Sequence, residues 1–134
     1  MAVTFNEAML PAIRQAAMRG VVAWIGIVEQ RAVELIMSPP KTGRIYRRRG
    51  VSHQASAGGE APANDQGTLV NTRRIDFFED QLRARLTFSA RHAPHLEFGT
   101  QRMEPRPFAR RALAERMEDG VALVRAEVAA VTSE

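Results

Sequence analysis

The chain has 134 residues, 45% hydrophobic and 25% charged, which is enough for one folded domain with a modest core and excludes a disordered chain. It has no cysteine, so a disulfide framework and a thiolate metal site are excluded, in keeping with assembly in a reducing cytoplasm. The net charge is +4, and of 19 basic residues all but Lys41 are arginine; guanidinium forks suit carboxylates and phosphates, but so small and scattered an excess argues against nucleic-acid binding as the main task.

The start, Met1-Ala2-Val3-Thr4-Phe5-Asn6-Glu7, lacks the basic and apolar stretches of a targeting signal. A long helix is expected from Asn6 to Met37. Thr4 with Glu7 has capping-box spacing, and Asn6 is an alternative cap. Leu10, Ile13, Ala17, Val21, Trp24, Val28, Ala32 and Leu35 recur at three- and four-residue steps and so share a face. Pro11 requires the regular helix to begin close to it or to kink there. The apolar run Gly20 to Val28 falls far short of the roughly 20 residues of a membrane span. Ser38-Pro39-Pro40 stops the helix.

A short strand is expected over Arg44 to Arg48, followed by an exposed, mobile loop from Gly50 to Gly67 that has little to bury. Arg73 to Phe78 reads as a strand, Glu79-Asp80-Gln81 as a turn, and Leu82 to Arg91 as a strand of strict apolar/polar alternation. Leu82, Ala84, Leu86, Phe88 and Ala90 would face the core, leaving Arg83, Arg85 and Arg91 on the polar face. A final helix is expected from Pro107 to Val131, with Pro107 at its first position. Its stripe of Leu113, Met117, Val121, Val124, Val128 and Val131 would serve as core. Gly120 weakens the middle of this helix or marks a close helix approach. The expected class is α+β: two long helices covering one face of a small antiparallel sheet in a single domain, residues 1–134.

One segment departs from this generic pattern: His92-Ala93-Pro94-His95-Leu96-Glu97-Phe98-Gly99-Thr100, then Met103-Glu104-Pro105-Arg106-Pro107-Phe108. A second is Ser38-Pro39-Pro40-Lys41-Thr42-Gly43, with Ser56-Ala57-Gly58-Gly59-Glu60-Ala61-Pro62 behind it. Together they resemble the tail-completion, or head-tail joining, family of long-tailed bacteriophages, which carries Glu-Phe-Gly-Thr, then Pro-Arg-Pro-Phe, a Pro-x-Thr-Gly helix exit and a Ser-x-x-Gly-Glu-x-Pro loop. The motifs run from Ser38 to Leu113. His92 and His95 stand where aromatic residues are usual.

The resemblance implies a structural protein of the virion neck. It would be a homo-oligomeric ring, a hexamer, that completes the head-proximal end of the tail around the genomic DNA, assembled in the host cytoplasm. Its partners would be a head connector, adaptor or head-closure protein on one side and a tail-terminator or tail-tube protein on the other, with no membrane. Glu97, Phe98, Gly99, Thr100, Pro105, Arg106, Pro107 and Phe108 would form the subunit or ring interface. Ser56, Gly58, Gly59, Glu60 and Pro62 would form a partner-contact loop, Arg83, Arg85 and Arg91 would face DNA or a neighbour, and Arg47 and Arg48 would either join them or form a solvated strand edge. Two other readings stay open: a tail-terminator or head-closure subunit, and a small basic DNA-binding protein.

Physical chemistry of the first segment fits a rigid corner. Gly99 supplies the positive φ needed after a short helical turn, Pro105 and Pro107 hold the approach extended, and Phe98 and Phe108 would pin it to the core. Arg106, confined between prolines, would pair with Glu97 or a neighbouring subunit. His92, His95 and Glu97 can be read as metal ligands, but Pro94 within the turn favours polar surface residues. No phosphate loop, nucleophile elbow or carboxylate pair is present, so no catalysis, cofactor or metal is expected.

Overall fold

The computed structural model describes residues 6–38, 41–48, 50–62 and 67–133. A 3-10 turn, Glu7–Met9, leads into helix α1, Leu10–Met37. The Asn6 side chain accepts from the Ala8 amide at 3.0 Å, so Asn6 is the cap; Thr4 lies outside the described residues. Pro11 falls in the first turn of α1, where no amide donor is required. The helix ends at Met37, with Ser38 extended at φ −101, ψ 149; Pro39 and Pro40 lie outside the described residues.

Next come β1 (Ile45–Arg48) and β2 (Val51–Gln54), an antiparallel hairpin that turns through Gly50 at φ +79. After the short helix α2 (Thr68–Asn71) a second antiparallel hairpin joins β3 (Arg73–Phe78) to β4 (Arg83–Phe88) through a 3-10 turn, Glu79–Gln81. Helix α3 (Ala93–Phe98) precedes α4 (Ala109–Glu115) and α5 (Met117–Thr132). The α+β class holds, but with two separate two-stranded sheets instead of one. No described helix is long and apolar enough to cross a membrane.

The C-terminal helices run antiparallel to α1 along a seam opened by two glycines. A Cβ on Gly120 would lie 2.0 Å from the Trp24 ring, and one on Gly20 would lie 2.5 Å from the Val124 backbone. Ion pairs Arg19–Glu127 and Arg31–Glu115 flank the seam. The helix expected as one piece from Pro107 instead begins at Ala109 and is offset at Arg116 (φ −106, ψ 12). Ala112 and Gly120 are both buried, and eight residues of regular helix would set them about 80° apart; the offset lets both meet α1. The expected core stripe therefore splits. Val124 packs on Gly20, whereas Leu113, Met117 and Val121 are exposed, as is Leu10 at the start of α1.

Val28, Ala32 and Leu35 of α1 form one core cluster with Ala61 and Ala112, against which Leu86 and Phe88 pack. Ile36, Leu69, Ala90, Ala93 and Phe108 form the second. Phe88 and Phe108 meet edge to face at 4.9 Å, a favoured aromatic geometry. Strand β3 and its turn match their sequence-based bounds. In the pairing, Ile75 faces Leu86 and Phe77 faces Ala84, so these four share the α1 side.

The Gly50–Gly67 segment departs most from expectation. Its first part is β2, and Ser56, Ala61 and Pro62 are buried. A segment with few apolar side chains is held instead by hydrogen bonds. The hairpin ladder continues through Gly43 N–H to Ala55 O (2.8 Å) and Ala55 N–H to Arg44 O (2.9 Å). Residues 63–66 lie outside the described residues.

Candidate functional site

Glu97, at the end of α3, is 5% exposed, a burial that needs full compensation for a carboxylate. The compensation comes from the start of α4. Phe108 and Ala109 donate their amides to Oε2 at 3.0 and 3.1 Å, and Arg110 donates its amide to Oε1 at 2.8 Å. The Arg110 side chain adds Nε to Oε1 at 3.0 Å and Nη2 to the Glu97 carbonyl at 2.8 Å. Glu97 is thus the N-cap acceptor of a helix that begins twelve residues later, where the helix dipole also favours a negative charge. Burial alone would raise the Glu97 pKa, but the amides of Phe108, Arg110 and Ala109 with the Arg110 guanidinium outweigh it and hold it below the ordinary value.

Gly99 leaves α3 at φ +76, ψ 179, a region essentially restricted to glycine rather than the left-handed helical cap the sequence suggested. Its missing Cβ also makes room: that atom would sit 2.8 Å from Met103 O and 2.9 Å from Pro105 N. Between them, Thr100 and Met103 exchange hydrogen bonds at 2.9 and 3.3 Å around a tight turn. Arg106 then donates its amide to Leu96 O at 2.6 Å, closing the corner. Pro105 and Pro107, flanking it, need no donor partner.

The second motif is built around Glu60. Its carboxylate accepts from the Thr42 hydroxyl, the Ala57 amide (2.8 Å) and the Thr42 amide (2.9 Å). Those donors lower its pKa from 4.5 to about 2. Lys41 donates Nζ to Leu35 O at 2.8 Å and Ala61 O at 2.7 Å, and so ties the last turn of α1 to the loop. Burial lowers the Lys41 pKa.

The two motifs meet. The Gly59 amide donates to Pro105 O at 2.9 Å, and Arg106 Nη1 donates to Ser56 Oγ at 3.2 Å. Gly58 lies so close to Glu104 that a Cβ would be 2.0 Å from its carboxylate. Pro62 is fully buried. Segments 50 residues apart in sequence thus form one hydrogen-bonded corner at the C-terminal end of α1.

Several site expectations need correction. Arg106 pairs with Ser56, not Glu97, because the Glu97 carboxylate is taken up by the α4 amides and Arg110. Phe108 is buried as expected, but Phe98 is 64% exposed, with the Arg110 guanidinium over its ring at 4.8 Å. Ser56 and Pro62 are buried, and half-buried Glu60 has its carboxylate committed to Thr42 and Ala57, so these three do not form a free contact loop. Gly58 and Gly59 remain exposed, and so does Thr100. His92 and His95 are exposed while Glu97 turns inward, so the three do not converge. Arg83 and Arg85 share the outer sheet face, stacked on Phe78 at 4.5 and 5.1 Å. Arg91 does not join them, since β4 ends at Phe88 and Arg91 lies in the turn beyond. Arg47 is exposed on β1, and the Arg48 backbone closes that strand.

Sequence reasoning missed the roles of Lys41, Thr42 and Arg110. Each acts across long separations that periodicity does not encode. Chemically, the corner fixes backbone direction with carboxylates already committed to amides, an arrangement suited to presenting a surface. Comparisons with protein-family models, with curated proteins and with solved structures find no match for this chain.

Proposed function

We propose that the chain is a structural subunit of the neck of a long-tailed bacteriophage, one copy of a hexameric ring. The ring completes the head-proximal end of the tail, joins it to the head connector and encloses the DNA. The observation that carries this reading is the convergence of the two motif segments that resemble the tail-completion family. Glu60 and Glu97 each organise one segment, and Gly59–Pro105 and Ser56–Arg106 contacts lock them together. That residues resembling a family signature also interlock in space supports the reading that both motifs belong to one corner. A rigid corner placing Phe98, Gly58, Gly59 and Thr100 at the surface supplies a heterologous contact, the kind that closes into a ring by rotation. The test is a tagged copy located on phage particles by electron microscopy. Label at the head-tail junction is expected; label on the capsid or tail tip, or none on particles, would overturn the proposal.

The small DNA-binding reading keeps one observation in its favour. Arg83 and Arg85 are exposed and have no carboxylate within ion-pair distance among the described residues. Sub-micromolar duplex binding that falls steeply with salt would favour it over the neck.

A further inference from the structure

A groove of about 490 Å³ runs between β4 and α4, with Val21 and Ile25 of α1 in its floor and Leu113 in its far wall. Its near wall consists of consecutive residues, Leu82 through Leu86. Consecutive strand residues point to opposite faces, so the groove is bordered by the edge of β4 and not by a sheet face. Strand β4 pairs with β3 alone. Its second edge therefore has no strand partner among the described residues, and an open edge beside an apolar floor is a template for one more strand.

The side chains define what that strand must carry. On the α1 side β4 offers Ala84 and Leu86; on the outer side it offers Arg83 and Arg85, steadied by Phe78. On its paired edge, β3 meets this pattern with Ile75 and Phe77 beside Leu86 and Ala84, and with Asp76 beside Arg85. We propose that the free edge of β4 binds an extended segment of another protein in which apolar and acidic residues alternate. The apolar residues would rest on Val21, Ile25 and Leu113, and the acidic ones beside Arg83 and Arg85. The β1–β2 hairpin of a second copy has exposed Ile45 and Tyr46, but it would set Arg47 against these arginines, and like charges across strands repel. The inference does not depend on the neck reading.

Trp24, the single tryptophan, lines the groove and reports its occupancy. The probe is a blocked synthetic peptide of about eight residues alternating valine and glutamate, a typical strand length. It should shift Trp24 emission saturably to shorter wavelength and slow amide exchange at alternate residues of Arg83–Leu86. Replacing its glutamates by lysine, or combining Arg83→Glu with Arg85→Glu in the protein, should weaken binding at least about tenfold. A central proline, which cannot donate to the ladder, should do the same. Equal binding of glutamate and lysine peptides would overturn the proposal. So would a concentration-dependent protein mass with no Trp24 response to peptide, because the groove would then belong to a second copy. Duplex DNA binding to Arg83 and Arg85 more tightly than the glutamate peptide would reassign the arginines and overturn it too.

Discussion

The corner and the β1–β2 hairpin are neighbours in sequence and similar in polarity, yet they are built on opposite terms. In the corner, polar groups are committed to backbone donors: buried Glu97 takes three amides, half-buried Glu60 takes two amides and a hydroxyl, and Phe108 and Pro62 are fully buried. In the hairpin the pairing is backbone to backbone, and both faces stay open, with Ile45 63% and Tyr46 43% exposed. The contrast teaches that a polar loop becomes rigid when its carboxylates find amide donors, not when it gains apolar residues. Committing a few strong acceptors to backbone donors does for the corner what packing does for α1.

The sharpest way to break the comparison is to remove the acceptor. Glu97→Ala leaves the Phe108, Ala109 and Arg110 amides without their partner, and buried donors left unmade cost about 1–3 kcal/mol each. We expect a loss of about 3 kcal/mol or more in urea denaturation, with the Gln variant falling between. Gly99→Ala comes next. It forces a Cβ into a glycine-only conformation and toward Met103 O, at a cost of about 2–3 kcal/mol, read as a lower denaturation midpoint. In the neck reading, Gly99→Val also stops head-tail joining, scored by infectivity with no wild-type protein present.

Acid should loosen the corner more than the hairpin. Glu60 and Glu97 have folded pKa values depressed below their ordinary 4.5. Their contribution is therefore complete above about pH 4.5 and is lost as pH falls through the folded values, toward about 2 for Glu60. Thermal melts should be flat from pH 7 to 5 and then decline. Glu60→Gln should decline less. The smallest effect belongs to the hairpin: Ile45→Thr should change stability by no more than about 0.5 kcal/mol, because the side chain is largely in solvent.

Much of the frame was legible in the sequence. Periodicity located α1, the Ile75/Phe77 alternation and its turn located β3, the alternation from Leu82 to Arg91 located β4, which is shorter at Arg83–Phe88, and Asn6 capped where its residue type suggests. The corner was legible as a corner, through Gly99 and the two prolines, but not in its wiring. Glu97 caps α4 across eleven residues, and Arg106 reaches Ser56 across 50; only the fold sets such distances. Strand β2 was missed because Val51-Ser52-His53-Gln54 lacks an apolar alternation, its pairing depending on β1. The exposure of Met117 and Val121 was missed because the Arg116 offset rotates α5 so that Gly120 and Val124 meet α1 instead, and that of Leu113 because it borders the open groove beside β4.

Hydrogen exchange resolved to single amides tests the central claim most directly. If the two motifs form one stiff corner, the Gly59, Arg106, Phe108 and Arg110 amides, each bonded across it, should exchange as slowly as those of Ala32 and Leu35 in α1. Exchange of those four at the faster rate of the β1–β2 amides would contradict the account.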